Sequence, residues 1–324
     1  MLSKWDEIVG NEGSCEVDSI EEGRKIFELQ REQMTLIVEA AGSLFIPGWR
    51  FLPTKFNRRM KEIMKEIESS MLEIIDKKRK AMATGEASGT GDLLGLLLES
   101  NSKEMKKHGN ESGMSIKEVI EDCKIFYFAG QETNSSLLVW TVILLSKYQD
   151  WQIRARDEVT QVFGRGEPGY QDLNHLKIEF TTATIGGYIL HEALRLYPLG
   201  ATFTRSTHTK SSLGKLRLPA ELALQVLAVH HDTRLWGDDA SVFNPERFGE
   251  GVSKATQGKL MFLPFGLGPR VCLGQKFAML EAKMAMVMIL QRYSLKLLAA
   301  YTHAPYSFFT LQPQHGAHLI LTKL

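Results

Sequence analysis

The sequence predicts a mainly α-helical protein with a minor β part. Apolar residues recur at roughly the helical period through most of the chain, and alternating, β-like segments are confined to its second half. The 324 residues are 44% apolar and 24% charged, the composition of a folded protein able to bury a sizeable core.

From Arg24 to Leu44 apolar residues fall at Ile26, Phe27, Met34, Ile37 and Val38, the spacing of an amphipathic helix. Ile46–Pro53 (IPGWRFLP) breaks it. A second helix is expected over Asn57–Met82, with Met60, Ile63, Met64, Ile67, Met71, Ile74 and Ile75 on one face and a basic end, Lys77–Lys80, suited to a helix C-terminus. Thr84–Gly91 reads as a Gly-rich loop and Asn101–Gly113 as a polar, mobile stretch. Ser115-Ile116-Lys117-Glu118 is a capping-box pattern opening a helix that runs to about Leu145. Helices are expected over Asp150–Phe163 and Gly187–Leu196. Leu213–Ala228 reads as short strands around Pro219. Val242–Gly268 is irregular, Gln275–Tyr293 is a helix, and the tail from Leu298 to Leu324 is β-like. There is no internal repeat, and 324 residues are enough for one large domain or two ordinary ones.

The formal net charge of +1 gives no argument for nucleic acid or for an acidic substrate. The three cysteines, Cys15, Cys123 and Cys272, are an odd, widely spaced set, which argues against a disulfide framework and for a reducing compartment. The strongest apolar run, Leu137–Leu145, is half of the about 18 residues a membrane span needs. The opening residues read as neither a signal nor a transit peptide.

Phe265-Gly266-Leu267-Gly268-Pro269-Arg270-Val271-Cys272-Leu273-Gly274 is the most informative segment. Its glycines allow tight turns, and a helix starts just after the cysteine. A thiolate there sits near the positive end of the helix dipole with backbone amides at hand, an arrangement that favours a soft metal ligand. A dinucleotide fingerprint would need glycine where Val271 stands. A phosphate loop would need Gly-Lys-Ser/Thr where Gly274-Gln275-Lys276 stands. Zinc would need further ligands nearby, and none is close in sequence. A buried structural cysteine is the plain alternative.

Three other patterns accompany the loop. Phe126, Ala129, Gly130 and Thr133 share one helix face, and the glycine costs about 1 kcal/mol relative to alanine, so close approach of a flat group is a reason for it. Glu132 stands beside Thr133. The plain alternatives are a threonine bonded back to its own helix and a solvated glutamate. Glu192 and Arg195 are one turn apart, which alone describes an ordinary surface pair. His230-His231 and His315–His318 invite a metal reading that nothing else in the sequence supports.

The run Phe-x-x-Gly-x-Arg-x-Cys-x-Gly resembles the haem-binding signature of the cytochrome P-450 superfamily, and Ala129–Asn134, Glu192/Arg195 and Pro245–Phe248 occur in that family's order. The resemblance implies a cytochrome P-450 fold, with residues 1–324 as a single domain, haem b as cofactor and Cys272 as the iron's thiolate ligand. Around it, Arg270 and Arg205 would meet haem propionates, and Phe265, Gly266 and Gly274 would form the thiolate loop. Ala129 and Gly130 would lie on the helix beside the cofactor. Thr133 would bond iron-bound oxygen and Glu132 would relay protons. Glu192, Arg195 and Arg247 (of Pro245-Glu246-Arg247-Phe248) would form a buried structural network, and the histidine pairs would be structural. It further implies O2 and an apolar small molecule as substrates, electrons from NADPH–cytochrome P-450 reductase, and the cytosolic face of the endoplasmic reticulum membrane. Pro47–Lys55 and Gln312–His318 are similar to plant members related to secologanin synthase, which oxidise terpenoid skeletons.

Parts of the family pattern are not found. The anchor, the first sheet and early helices are expected ahead of this span, so the chain reads as incomplete at its N-terminal side. No tryptophan is followed by arginine four residues on, where the family has a propionate-binding Trp-x-x-x-Arg. The join near Val17–Ile20 looks too short, and Glu179–Tyr188 looks inserted. The alternative is therefore a non-catalytic fragment that holds haem poorly.

Overall fold

A computed structural model describes residues 14–40, 46–85, 92–109, 113–164, 166, 185–206, 212–217, 221–307 and 309–324. The chain divides into two compact units, Met1–Gln131 and Glu132–Leu324.

In the first unit, α1 (Ser14–Glu39) precedes a 3-10 turn (Trp49–Phe51), α2 (Lys55–Thr84) and α3 (Leu93–His108), and α4 (Ile116–Lys147) begins. Thr54 caps α2 by accepting from Asn57 N. The Asn57 amide in turn donates to Trp49 O and Leu52 O, each at 2.8 Å, and so fixes the preceding break. Ile63, Ile67, Met71 and Ile75 of α2 are buried with Ile26, Leu98, Val119 and Cys123. Met64, expected on the same face, is exposed because its position is turned about 100° from Ile63. The capping box forms as expected: Ser115 N donates to Glu118 Oε2 at 2.7 Å, and Glu118 N donates to Ser115 Oγ at 3.3 Å.

The expectation of a mobile stretch over Asn101–Gly113 is corrected for Asn101–His108, which belong to α3, while residues 110–112 lie outside the described residues. Asp92 caps it by accepting from Gly95 N at 2.7 Å, and Lys106, Lys107 and His108 complement the dipole at its end. Polar composition hid a helix that buries only Leu98 and Gly95. Residues 86–91 of the expected Gly-rich loop and Glu179–Thr184 of the expected insertion lie outside the described residues.

The second unit holds the rest of α4, then α5 (Gln149–Phe163), α6 (Ile185–Leu196), β1 (Thr202–Ser206), β2 (Ser212–Leu213), β3 (Leu216–Arg217) and β4 (Glu221–Gln225). Short helices α7 (Val226–His230), α8 (Thr233–Trp236) and α9 (Val252–Ala255) follow, with a 3-10 turn at Pro245–Phe248. A second 3-10 turn, Gly268–Arg270, leads to α10 (Gln275–Arg292) and to β5 (Tyr293–Leu297), β6 (Pro305–Ser307), β7 (Leu311–Pro313) and β8 (Leu319–Lys323). All four strand pairs, β1–β4, β2–β3, β5–β8 and β6–β7, are antiparallel. The strand reading of Leu213–Ala228 is corrected at its end: Val226–Ala228 belong to α7, where Val226 and His230 are buried one turn apart. The Leu137–Leu145 run is core rather than a span, with Leu137, Trp140 and Leu145 fully buried. Among the described residues no helix is long and apolar enough to cross a membrane.

Candidate active site

The loop before α10 is held by its own backbone. Gly266 and Gly268 adopt φ of 73° and 72°, a left-handed conformation that a side chain would strain. These turns let Cys272 N donate to Phe265 O at 2.8 Å, while Val271 N donates to Gly268 O at 3.1 Å. Cys272 lies two residues before Gly274, the N-cap of α10. A Cβ at Gly274 would stand 4.0 Å from Cys272 Sγ, in ordinary van der Waals contact with the sulfur. Cys272 is a free, exposed thiol, and Arg270 is exposed beside it. The apolar side chains around it lack protein cover: Leu273 is 90% exposed and Phe277 69%. Leu267 and Val271 are exposed as well.

Strand β1 approaches the same loop. A Cβ at Gly266 would lie 3.9 Å from the Phe203 ring, and the Arg205 guanidinium stands 5.7 Å from the centroid of that ring. Arg205 also donates to Thr204 O at 2.9 Å. Phe203 was not singled out from the sequence; a lone aromatic in a short strand carries no signal for such a role.

Glu192, Arg195 and Arg247 converge in one buried cluster. Arg195 donates to both Glu192 oxygens at 2.7 Å, a bidentate pair whose side chains are 0% exposed. Its remaining donors reach His230 O at 2.9 Å, Ala240 O at 2.6 Å and Val242 O at 3.2 Å. Asn244 N donates to Glu192 Oε1 at 3.0 Å. Arg247 Nε lies 3.8 Å from Glu192 Oε2, too far for a hydrogen bond, and that buried nitrogen has no hydrogen-bond partner. The rest of the Arg247 guanidinium bonds to Trp236 O at 3.0 Å and pairs with Asp239 at 2.8 Å, which holds the Asp239 carboxyl below its usual pKa.

His230 connects this cluster to the loop. Its Nδ1 meets Arg195 O at 3.2 Å, and its Nε2 accepts from Leu263 N at 2.9 Å. Leu263 O in turn accepts from Gly266 N at 3.1 Å. An acceptor Nε2 requires the neutral ring, and burial pushes its pKa down to about 4, with the Arg195 charge adding to the shift. The neighbouring His231 bonds to Leu196 O at 2.8 Å. Sequence reading marked this pair only as structural; the link to the loop is a tertiary feature.

On α4, Ala129 and Gly130 are exposed, and among the described residues a Cβ at Gly130 would meet no atom within 4 Å. Thr133 is half-buried. Glu132 is brought together with Thr310 and Gln312: Thr310 Oγ1 donates to its Oε1 at 3.0 Å, and Gln312 Nε2 bonds to the same oxygen. The neighbouring Asn134 is buried and donates to Glu281 of α10.

A family model for cytochrome P450 matches residues 16–318. The chain is 52% identical to cytochrome P450 CYP72A219 of Panax ginseng over 347 aligned positions, which cover all of this chain and 66% of that protein. It is 49% identical to 7-deoxyloganic acid hydroxylase and 47% identical to secologanin synthase 1, both of Catharanthus roseus, covering all of this chain and 66% and 65% of those proteins. The chain thus spans just under two thirds of the length of these relatives. Alignments of 347 to 349 positions on 324 residues also mean that the relatives carry residues within the matched span that have no counterpart here. The family binds haem b. The cysteine loop suits that group: it offers a soft sulfur donor, a cationic Arg270 for carboxylates, and uncovered apolar side chains for a flat apolar face. Motif, mainly helical fold and match along almost its whole length place the chain in the cytochrome P450 family.

Proposed function

We propose that this chain carries the haem-thiolate centre of a monooxygenase that inserts one oxygen atom of O2 into an apolar small molecule, with Cys272 as the thiolate that would hold the haem iron. The observation that carries this reading is the exposed thiol on a backbone-fixed loop whose neighbouring apolar side chains, Leu267, Val271 and Leu273, are exposed too. When bound, haem supplies the O2 chemistry, and thiolate ligation favours O–O cleavage.

The protein's share is orientation, exclusion of water and control of protons. Arg270, with Arg205 on β1, is suited to pairing with the propionates. Phe265 and Gly266 shape the loop, through the Cys272 N to Phe265 O bond and the left-handed turn at Gly266, and Gly274 leads into α10 beside the sulfur. Leu273 and Phe277 would be covered by the cofactor and keep water from the sulfur. Glu192, Arg195 and Arg247 hold the segment behind the loop through His230 and Leu263. The Thr133 hydroxyl orients, and the Glu132 carboxyl takes up and releases a proton. Residues 1–324 act in this reading as part of one cytochrome P-450 domain.

Electrons would come from NADPH through a cytochrome P-450 reductase at the cytosolic face of the endoplasmic reticulum. The relatives named for 7-deoxyloganic acid hydroxylation and secologanin synthesis support a terpenoid-like substrate. The match along residues 16–318 favours this reading over a non-catalytic fragment. The test is turnover under isotopically labelled O2, with haem-loaded protein, reductase, NADPH and a panel of terpenoid acids and alcohols. One labelled atom in the product is expected, and product that takes its oxygen from water would contradict the reading.

A further inference from the structure

Helix α4 carries Glu132, Ser136 and Trp140 at successive four-residue steps, which places them along one slowly turning face. Their partners are three consecutive residues, Thr310, Leu311 and Gln312, where β7 begins. Glu132 Oε1 accepts from Thr310 Oγ1 at 3.0 Å and from Gln312 Nε2. Ser136 Oγ and Thr310 Oγ1 share a hydrogen bond at 3.1 Å. Trp140 Nε1 donates to Leu311 O at 2.7 Å. The strand is backed in turn, since Leu311 N donates to Leu199 O at 3.0 Å and the Gln312 amide also donates to Thr310 Oγ1 at 3.0 Å. Thr310 and Leu311 are buried. Glu132 is therefore not a freely turning surface carboxylate.

Both of those bonds end on Oε1. A carboxylate oxygen offers two lone-pair sites, so two donors fill Oε1, while Oε2 takes neither bond. From this juxtaposition we propose that Thr310 and Gln312 are positioning residues for the proton step assigned to Glu132. They anchor Oε1, so the proton is taken up from solvent on Oε2 and released from that same oxygen, and the carboxylate is restored. Holding one rotamer matters because a proton carrier works only within hydrogen-bond reach of its acceptor. The inference rests on the reading of Glu132 given above and adds which oxygen carries the proton and what fixes it.

The test compares the haem-loaded chain with Thr310→Val, Gln312→Leu, their double variant, and Thr310→Ser, which keeps the hydroxyl. Hydrogen exchange of residues 305–313, measured with and without haem, reads the tether. It should speed up about tenfold in the double variant and stay at the starting level in Thr310→Ser. With reductase and NADPH, the share of electrons released as hydrogen peroxide should rise about threefold in the double variant, with the substrate-induced haem spectral shift unchanged. Thr310→Ser should restore the low share. Unchanged exchange, or faster exchange with an unchanged peroxide share, would overturn the proposal. Glu132→Gln separates the two levels: if it leaves the peroxide share unaltered, the proton role of Glu132 itself falls, whatever the tether does. Should the double variant fail to fold, Gln312→Leu alone gives the same two readouts without disturbing buried Thr310.

Discussion

Around Glu192 the second unit satisfies itself. Glu192 and Arg195 are fully buried, five donors reach defined acceptors, and the unbonded Arg247 nitrogen is the exception. Around Cys272 the backbone is as well fixed, yet the side chains are exposed: among the described residues little covers Leu273 and Phe277, and the thiol is exposed. The same unit thus holds one region completed by the polypeptide and one shaped for completion by something else. A large exposed apolar surface beside a soft donor costs solubility unless a ligand covers it. The difference teaches where this protein keeps its stability and, under the proposed function, where it would hold its cofactor, with His230 and Leu263 joining the two.

Breaking the self-sufficient region should have the largest effect. Arg195→Met leaves the Glu192 carboxylate buried without its partner and should cost about 3–5 kcal/mol in denaturant unfolding of the haem-free protein. Removing both charges together, Glu192→Leu with Arg195→Leu, should cost less than the single change; a double variant as unstable as the sum of the two singles would mean the pair is not coupled.

Acid should act at the junction. The folded-state pKa of His230 is about 4 against an ordinary 6.5, so the unfolded chain binds more protons between those values. The stabilisation is complete above about pH 7 and is lost as pH falls from 6.5 to 4, amounting to about 3 kcal/mol. Burial lowers the His191 pKa as well and adds loss of the same sign. Unfolding midpoints measured from pH 8 to pH 4, with and without His230→Gln, check this. An unvarying wild-type midpoint would remove the buried neutral imidazole from the account.

The smallest stability effects belong to the loop. Leu273→Ser should change haem-free stability by less than about 0.5 kcal/mol. The same change should weaken haem binding about tenfold in a fluorescence-quenching titration, because covered apolar surface is lost only in the complex. A large haem-free effect would show that the loop is packed by protein after all.

Much of this contrast could be read in the sequence. The fixed positions of Phe265–Gly274 pointed to the sulfur, while the Glu192/Arg195 spacing alone describes a surface pair, and the buried network with Arg247 came only from the family resemblance. Helices α2 and α4 were legible from periodicity and from the Ser115/Glu118 box. The polar α3 was not, since it buries too little to leave a period. Nor were the attachment of Glu132 to Thr310 and Gln312, the Phe203 bridge and the His230 link, which join residues 33 to 180 positions apart through side chains that occur everywhere. Local pattern reports the loop and the helices; only folding reports what holds them.

The account turns on the bond between Cys272 and haem iron. The most direct measurement is the absorption spectrum of the reduced carbonyl complex, recorded for the haem-loaded chain and for Cys272→Ser at matched haem content. The wild type should show the red-shifted Soret band of a thiolate ligand, and Cys272→Ser should lose it. A band that survives the substitution, or a wild type that never shows it while holding haem, would contradict the assignment.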